Sequence, residues 1–254
     1  MPRFVRHLGI DYSGAATPET RLSGLRVYEA VPGGEPVERR PADGRHWSRR
    51  TLAGWLEAEL RSGPPTLVAV DHAFGLPQAY FEAHGLAPDW RGLLDDFSSH
   101  WPSDEPGARV ALLRQGESGR RRGGEARWRR LCDQRARAKS PFHFNVPGSV
   151  ASSTHAGLPW LRRLRETVPR LQVWPFDGWQ PPEDVSVLAE GYPSLWNHQW
   201  PRAGRTPDQH DAWTLARVLE TADAQGRLDA WFQPALTPGE RAAAQIEGWI
   251  LGLM

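Results

Sequence analysis

Three acids in this chain each close a short apolar run. Asp11 follows FVRHLGI from Phe4, Asp71 follows TLVAV from Thr66, and Glu190 follows VSVLA from Val185. A carboxylate at the end of a buried strand is costly unless it is paired, hydrogen-bonded or bound to a metal. One such residue means little, because aspartate commonly starts a turn. Three make a pattern, since parallel strands deliver their carboxyl ends to the same edge of a sheet, where α/β proteins place their sites. A further acid comes from TPDQHD at Thr206 to Asp211. Asp208 already has a structural use there, as an acid in the first turn of a helix complements its dipole. Asp211 lies one turn on, beside an apolar stripe, and is the stronger chemical candidate. His210 reads as a helix-surface residue.

The elements that must carry these acids are legible in outline. Phe4 to Asp11, Leu22 to Ala30 and Glu35 to Arg39 read as three consecutive strands, largely antiparallel, with Pro32-Gly33-Gly34 turning between the last two. Leu52, Trp55, Leu56 and Leu60 fall at helical spacing between about Ser48 and the stop at Ser62 to Pro65. Thr66 to Val70 then suits a strand covered on both faces. Leu171 to Phe176 and Val185 to Ala189 are strand-like runs split by Pro181-Pro182. Thr206 as N-cap, Pro207 at the first helical position and Gln209 completing a capping box start a helix whose stripe is Ala212, Leu215, Ala216 and Leu219. The middle, about 78–170, reads as an elaboration with little regular core: an arginine-rich arm, a turn-rich stretch from Ser140 to Thr154, and a helix from Leu158 to Arg165. With no low-complexity linker and no internal repeat, residues 1–254 read as one domain carrying an insertion-like region.

Composition excludes several classes. Hydrophobic residues make up 39% of the 254 and charged residues 24%, so the chain can bury a full core and is not disordered. No run of eighteen apolar residues and no signal-peptide stretch is present, which predicts a cytoplasmic protein without a membrane partner. The single cysteine, Cys132, reads as a packed side chain, so redox chemistry is not expected. The tryptophans, thirteen in all, fall mostly at helical or strand positions such as Trp55 and Trp160, where packing explains them better than sugar binding.

The net charge of +1 conceals a strong asymmetry. Arg114 to Lys139 holds ten basic and three acidic residues, against 21 basic and 27 acidic in the rest. Arg127, Arg129, Arg130 and Lys139, the only lysine, are candidate phosphate contacts, because arginine attracts phosphate at long range and grips it bidentately. Trp128 among them either stacks on a base or packs inward beneath a solvated helix. Ser149, within Gly148 to His155, offers a hydroxyl and backbone amides ahead of a helix. That segment lacks the spacing of a P-loop, and Gly191-Tyr192-Pro193-Ser194 is no nucleophile elbow.

Six segments together resemble domain-of-unknown-function family 429, a family of predicted ribonuclease H-like nucleases: GIDYSGA from Gly9, VAVDHAFGLP from Val68, KSPFHFNVPGSVASSTHAGLPWL from Lys139, VWPFDGW from Val173, AEGYPSLW from Ala189 and TPDQHDAW from Thr206. The resemblance implies an α/β, ribonuclease H-like fold: a mixed five-stranded sheet with helices on both faces. It also implies that Asp11, Asp71 and Asp211 are catalytic metal ligands, with Asp208 as a neighbouring ligand and Glu190 added by the narrower family. The implied cofactor is Mg2+ or Mn2+, two ions about 4 Å apart that activate water and stabilise the leaving oxygen of a phosphodiester. The leading expectation is therefore a metal-dependent nuclease acting on DNA or RNA. Its rivals are a nucleotide-phosphate hydrolase or phosphotransferase on the same fold, and a non-catalytic nucleic-acid-binding protein that keeps the acids as structural groups.

Overall fold

In the computed structural model, which describes residues 2–116 and 122–254, the apolar runs form a six-stranded mixed sheet. Its strands are β1 (Arg6–Asp11), β2 (Arg26–Ala30), β3 (Val37–Arg39), β4 (Thr66–Asp71), β5 (Leu171–Val173) and β6 (Ser186–Glu190), in the order β3-β2-β1-β4-β6-β5. β1, β2 and β3 pair antiparallel, whereas β1, β4, β6 and β5 are mutually parallel in that order. The resemblance implies five strands and the sheet has six; the strand-like run from Leu171 to Phe176 contributes only the three-residue β5, which pairs with β6 at the sheet edge.

Helices cover both faces. Strand alternation sends Ile10, Val68, Val70 and Leu188 to one of them. There they meet Leu52 and Leu56 of α1 (Arg49–Ser62), Leu93 and Phe97 of α3 (Trp90–His100), and Leu161 of α6 (Ala151–Thr167). Leu67, Ala69, Val187 and Ala189 face the other way. They pack on Leu215 and Leu219 of α7 (Pro207–Ala224), together with α8 (Leu228–Phe232) and α9 (Pro238–Glu247). Among the described residues no helix is long and apolar enough to cross a membrane.

The middle of the chain departs from its sequence reading. Besides α3 it holds α2 (Gln78–His84), α4 (Val110–Gln115) and α5 (Leu131–Arg135), and it supplies Trp90, Phe97 and Trp101 to the core. α2, α4 and α5 are too short to show a clear period, whereas α3 buries Trp90, Leu93, Leu94 and Phe97 at helical spacing, a signal present in the sequence. α6 also starts seven residues earlier than expected, at Ala151, because the serines and threonine read as turn residues lie inside its first turns.

Two glycines let the site-bearing elements touch. A Cβ on Gly9 of β1 would lie 2.1 Å from the Ala212 carbonyl oxygen of α7. One on Gly14 would lie 2.0 Å from the Ser152 carbonyl oxygen of α6. Only a hydrogen at each position allows both helices to close on the end of β1.

Candidate metal centre

Asp11 and Asp71 are register partners at the ends of β1 and β4, so they project from the same face of neighbouring strands, which lie about 4.8 Å apart. That face is the one α7 covers. The expected capping box is present: Thr206 accepts from the Gln209 amide at 3.2 Å, and Gln209 Oε1 accepts from the Thr206 amide at 3.0 Å. This fixed start sets Asp208 and Asp211 above the strand ends. Asp211 Oδ1 accepts a hydrogen bond of 3.0 Å from Asn197 Nδ2.

The four aspartates form one electrostatic group. Burial, and then repulsion from Asp71, Asp208 and Asp211, holds the Asp11 carboxyl well above the usual range, with Arg26 on β2 opposing. Asp71 is pushed up to about 8 by burial first and then by Asp211 and Glu190. Asp208 is raised by burial and by Asp211, against the pull of Arg26. The Asp71 Oδ1 atom is buried without a hydrogen-bond partner. A buried carboxylate oxygen left unpaired beside other acids is costly unless a proton or a cation balances it.

Glu190 acts on Asp71 but is itself held by a cation. It pairs in register with Val70, not Asp71, and alternation therefore points it to the opposite face of the sheet. Both its oxygens are taken there by Arg130, whose Nη1 and Nη2 donate at 2.6 Å each, and Oε2 also accepts from the Phe74 amide at 3.0 Å. The guanidinium turns its other edge to Asp133, at 2.8 and 3.1 Å. Glu190, expected as a metal ligand, thus has both oxygens occupied by Arg130. Cys132 Sγ comes within 4.8 Å of oxygens of Asp133 and Glu190, a grouping that could formally hold an ion. Arg130 already supplies the cation there, and burial pushes the Cys132 thiol up, so it stays protonated.

The basic candidates also separate. Arg130 is 1% exposed and cannot reach a polymer outside, which corrects its assignment as a nucleic-acid contact. Arg127 is paired with Glu125 at 2.7 Å, and Arg129 donates to the Asp133 carbonyl at 2.7 Å. Both line a hollow with Pro77 and Trp128 that none of the aspartates of the centre borders. Trp128 packs edge-on against Phe142 and the core, which favours the inward reading. Lys139 is exposed, donates to the Pro147 carbonyl, and borders a small void shared with Asp71 and Glu190. Residues 117–121 of the arginine-rich arm lie outside the described residues.

Ser149 reaches the carboxylates from the side of Asp11 and Asp208. It lines a cleft of about 770 Å³ with Asp11, Asp208, Ser13, Ser152, Ser153 and Arg109. Arg109 was not singled out in the sequence, being one arginine among thirty. It is exposed and makes no ion pair among the described residues. Its only available signal was position, just outside the arm and ahead of a short helix.

No protein-family model matches the chain, and neither does any curated protein or solved structure.

Proposed function

We propose that this chain is a ribonuclease H-like, divalent-metal-dependent nuclease that hydrolyses phosphodiester bonds in DNA or RNA. The observation that carries the reading is the register match of Asp11 and Asp71 on adjacent parallel strands, with Asp71 Oδ1 buried and unpaired beneath α7. Asp11 and Asp71 would hold Mg2+ or Mn2+, with Asp208 and Asp211 completing the donor set from the helix. A bound ion would supply Lewis acidity and a water of lowered pKa to a phosphodiester. The chain's own residues do the rest. Arg109 and the hydroxyls of Ser149, Ser152 and Ser153 line the cleft that opens on Asp11, and they suit a polyanionic backbone. Asn197 fixes the Asp211 carboxylate from outside, so that α7 presents it in one orientation. The order β3-β2-β1-β4, with three antiparallel strands followed by a parallel neighbour, is compatible with the ribonuclease H-like arrangement.

End-labelled single-stranded, duplex, hybrid and branched substrates, incubated with Mn2+ or with chelator, test the proposal. Cleavage is expected with Mn2+ only, and should fall at least about a hundredfold in Asp11→Asn and Asp71→Asn. Turnover of free nucleotides with every polymer left intact would replace the nuclease by a nucleotide-phosphate hydrolase. A wild type whose thermal unfolding ignores Mn2+ would leave the acids as structural groups.

A further inference from the structure

We propose that Arg130 occupies the place of a second metal ion, so that this centre takes one divalent cation and not two; the inference rests on reading the aspartate edge as a metal centre. A two-ion site needs an acid on the far side of a bridging carboxylate. Glu190 and Asp133 are the acids that border Asp71 there, since all three line one small void together with Arg130, Lys139 and Gly148, and Arg130 bonds both of them. Glu190's oxygens are already committed. Two 2.6 Å hydrogen bonds from Arg130 and one of 3.0 Å from Phe74 leave it little to offer a metal.

The space is also wrong for an ion. The void measures about 10 Å³, which is close to the least that admits a single water. Mg2+ keeps several of its waters, and so does not fit beside the guanidinium. The cation is permanent as well as placed. Arginine does not deprotonate in proteins, and this side chain is 1% exposed between Glu190 and Asp133. Its Nη1 also reaches the Glu247 carbonyl of α9 at 3.5 Å, while the Glu247 carboxylate accepts from the Gln78 and Leu131 amides at 2.7 and 2.8 Å and so ties α2 and α5 around the pair. A fixed positive charge therefore stands on the far side of Asp71, where it neutralises Glu190 without exchangeable metal.

Low-temperature electron paramagnetic resonance of wild-type protein titrated with Mn2+ decides the matter, with calorimetry giving the stoichiometry. One Mn2+ per chain with an isolated six-line spectrum is expected, and binding at least about tenfold weaker in Asp71→Asn. Two ions per chain with an exchange-coupled spectrum would overturn the Arg130 proposal and leave the metal centre standing. No binding at all would overturn the metal centre, and this proposal with it. Arg130→Met, if circular dichroism finds it folded, should take up a second Mn2+ between Glu190 and Asp133; a folded variant that still holds one ion would count against the proposal. Should Arg130→Met fail to fold, the wild-type stoichiometry decides alone.

Discussion

Burial and neighbouring acids make the ionised forms of Asp11 and Asp71 costly. Burial and their acidic neighbours raise both carboxyls, Asp71 to about 8. Between the ordinary carboxylate range near about pH 4 and pH 8, the folded chain therefore keeps protons that the unfolded chain releases. The sign follows directly: the metal-free protein should lose stability as pH rises through that window. Urea unfolding in chelator at a series of pH values should show this fall, and saturating Mn2+ should flatten or reverse it. Asp71→Asn removes the repulsion along with the ligand. At pH 7.5 in chelator it should be more stable than wild type by about 1 kcal/mol, and Mn2+ should no longer stabilise it. A variant weaker than wild type in chelator would mean that Asp71 is held by bonds rather than crowded by charge.

At the scale of elements, the centre depends on how closely α7 approaches β1. Gly9→Ala would set a methyl group against the Ala212 carbonyl, a backbone atom that cannot move without moving the helix. The expected cost is about 3 kcal/mol, the upper end for overpacking, with Mn2+ affinity lost in the same variant as Asp208 and Asp211 are displaced. Gly54→Ala is the matched control. Gly54 sits in the exposed face of α1 with nothing near its missing Cβ, and the same change there should stabilise by about 0.5–1 kcal/mol. Denaturant midpoints of the two variants should move in opposite directions. This element scale also marks what the sequence could reveal. The apolar runs ending in Asp11 and Asp71 and the Thr206 capping box are local signals, and the structure places them together. Glu190 ends an equally apolar run, but the face it points to depends on which residue of β4 it pairs with, a tertiary fact. The middle is a different case: α2, α4 and α5 are too short to show a period, but Trp90, Leu93, Leu94 and Phe97 of α3 repeat at helical spacing and pack on α6, a local signal that the density of charge and turn residues around it obscures.

For the molecule as a whole, the basic arm and the acidic body are not two surfaces awaiting a partner, because much of the arm folds back on the body. Arg122 meets Asp96 at 3.2 Å, Arg135 meets Glu240 at 2.5 Å, and Arg130 is enclosed by Glu190 and Asp133. Local charge in the sequence therefore overstates what is offered to a polyanion. The cleft beside Asp11 reverses the inference, since its arginine comes from outside the arm and makes no ion pair among the described residues. Arg109→Ala should weaken binding to a labelled single-stranded oligonucleotide uniformly across sequences and lower the slope of log affinity against log salt by about 1, as expected for one lost phosphate contact. Arg127→Ala, paired with Glu125 away from the aspartates, should leave that slope unchanged. Fluorescence anisotropy from low to moderate salt, in Asp11→Asn protein so that no substrate is consumed, measures both. If Arg127 carried the slope and Arg109 did not, the polymer would run along the arm and the 770 Å³ cleft would lose its role as the path to the carboxylates.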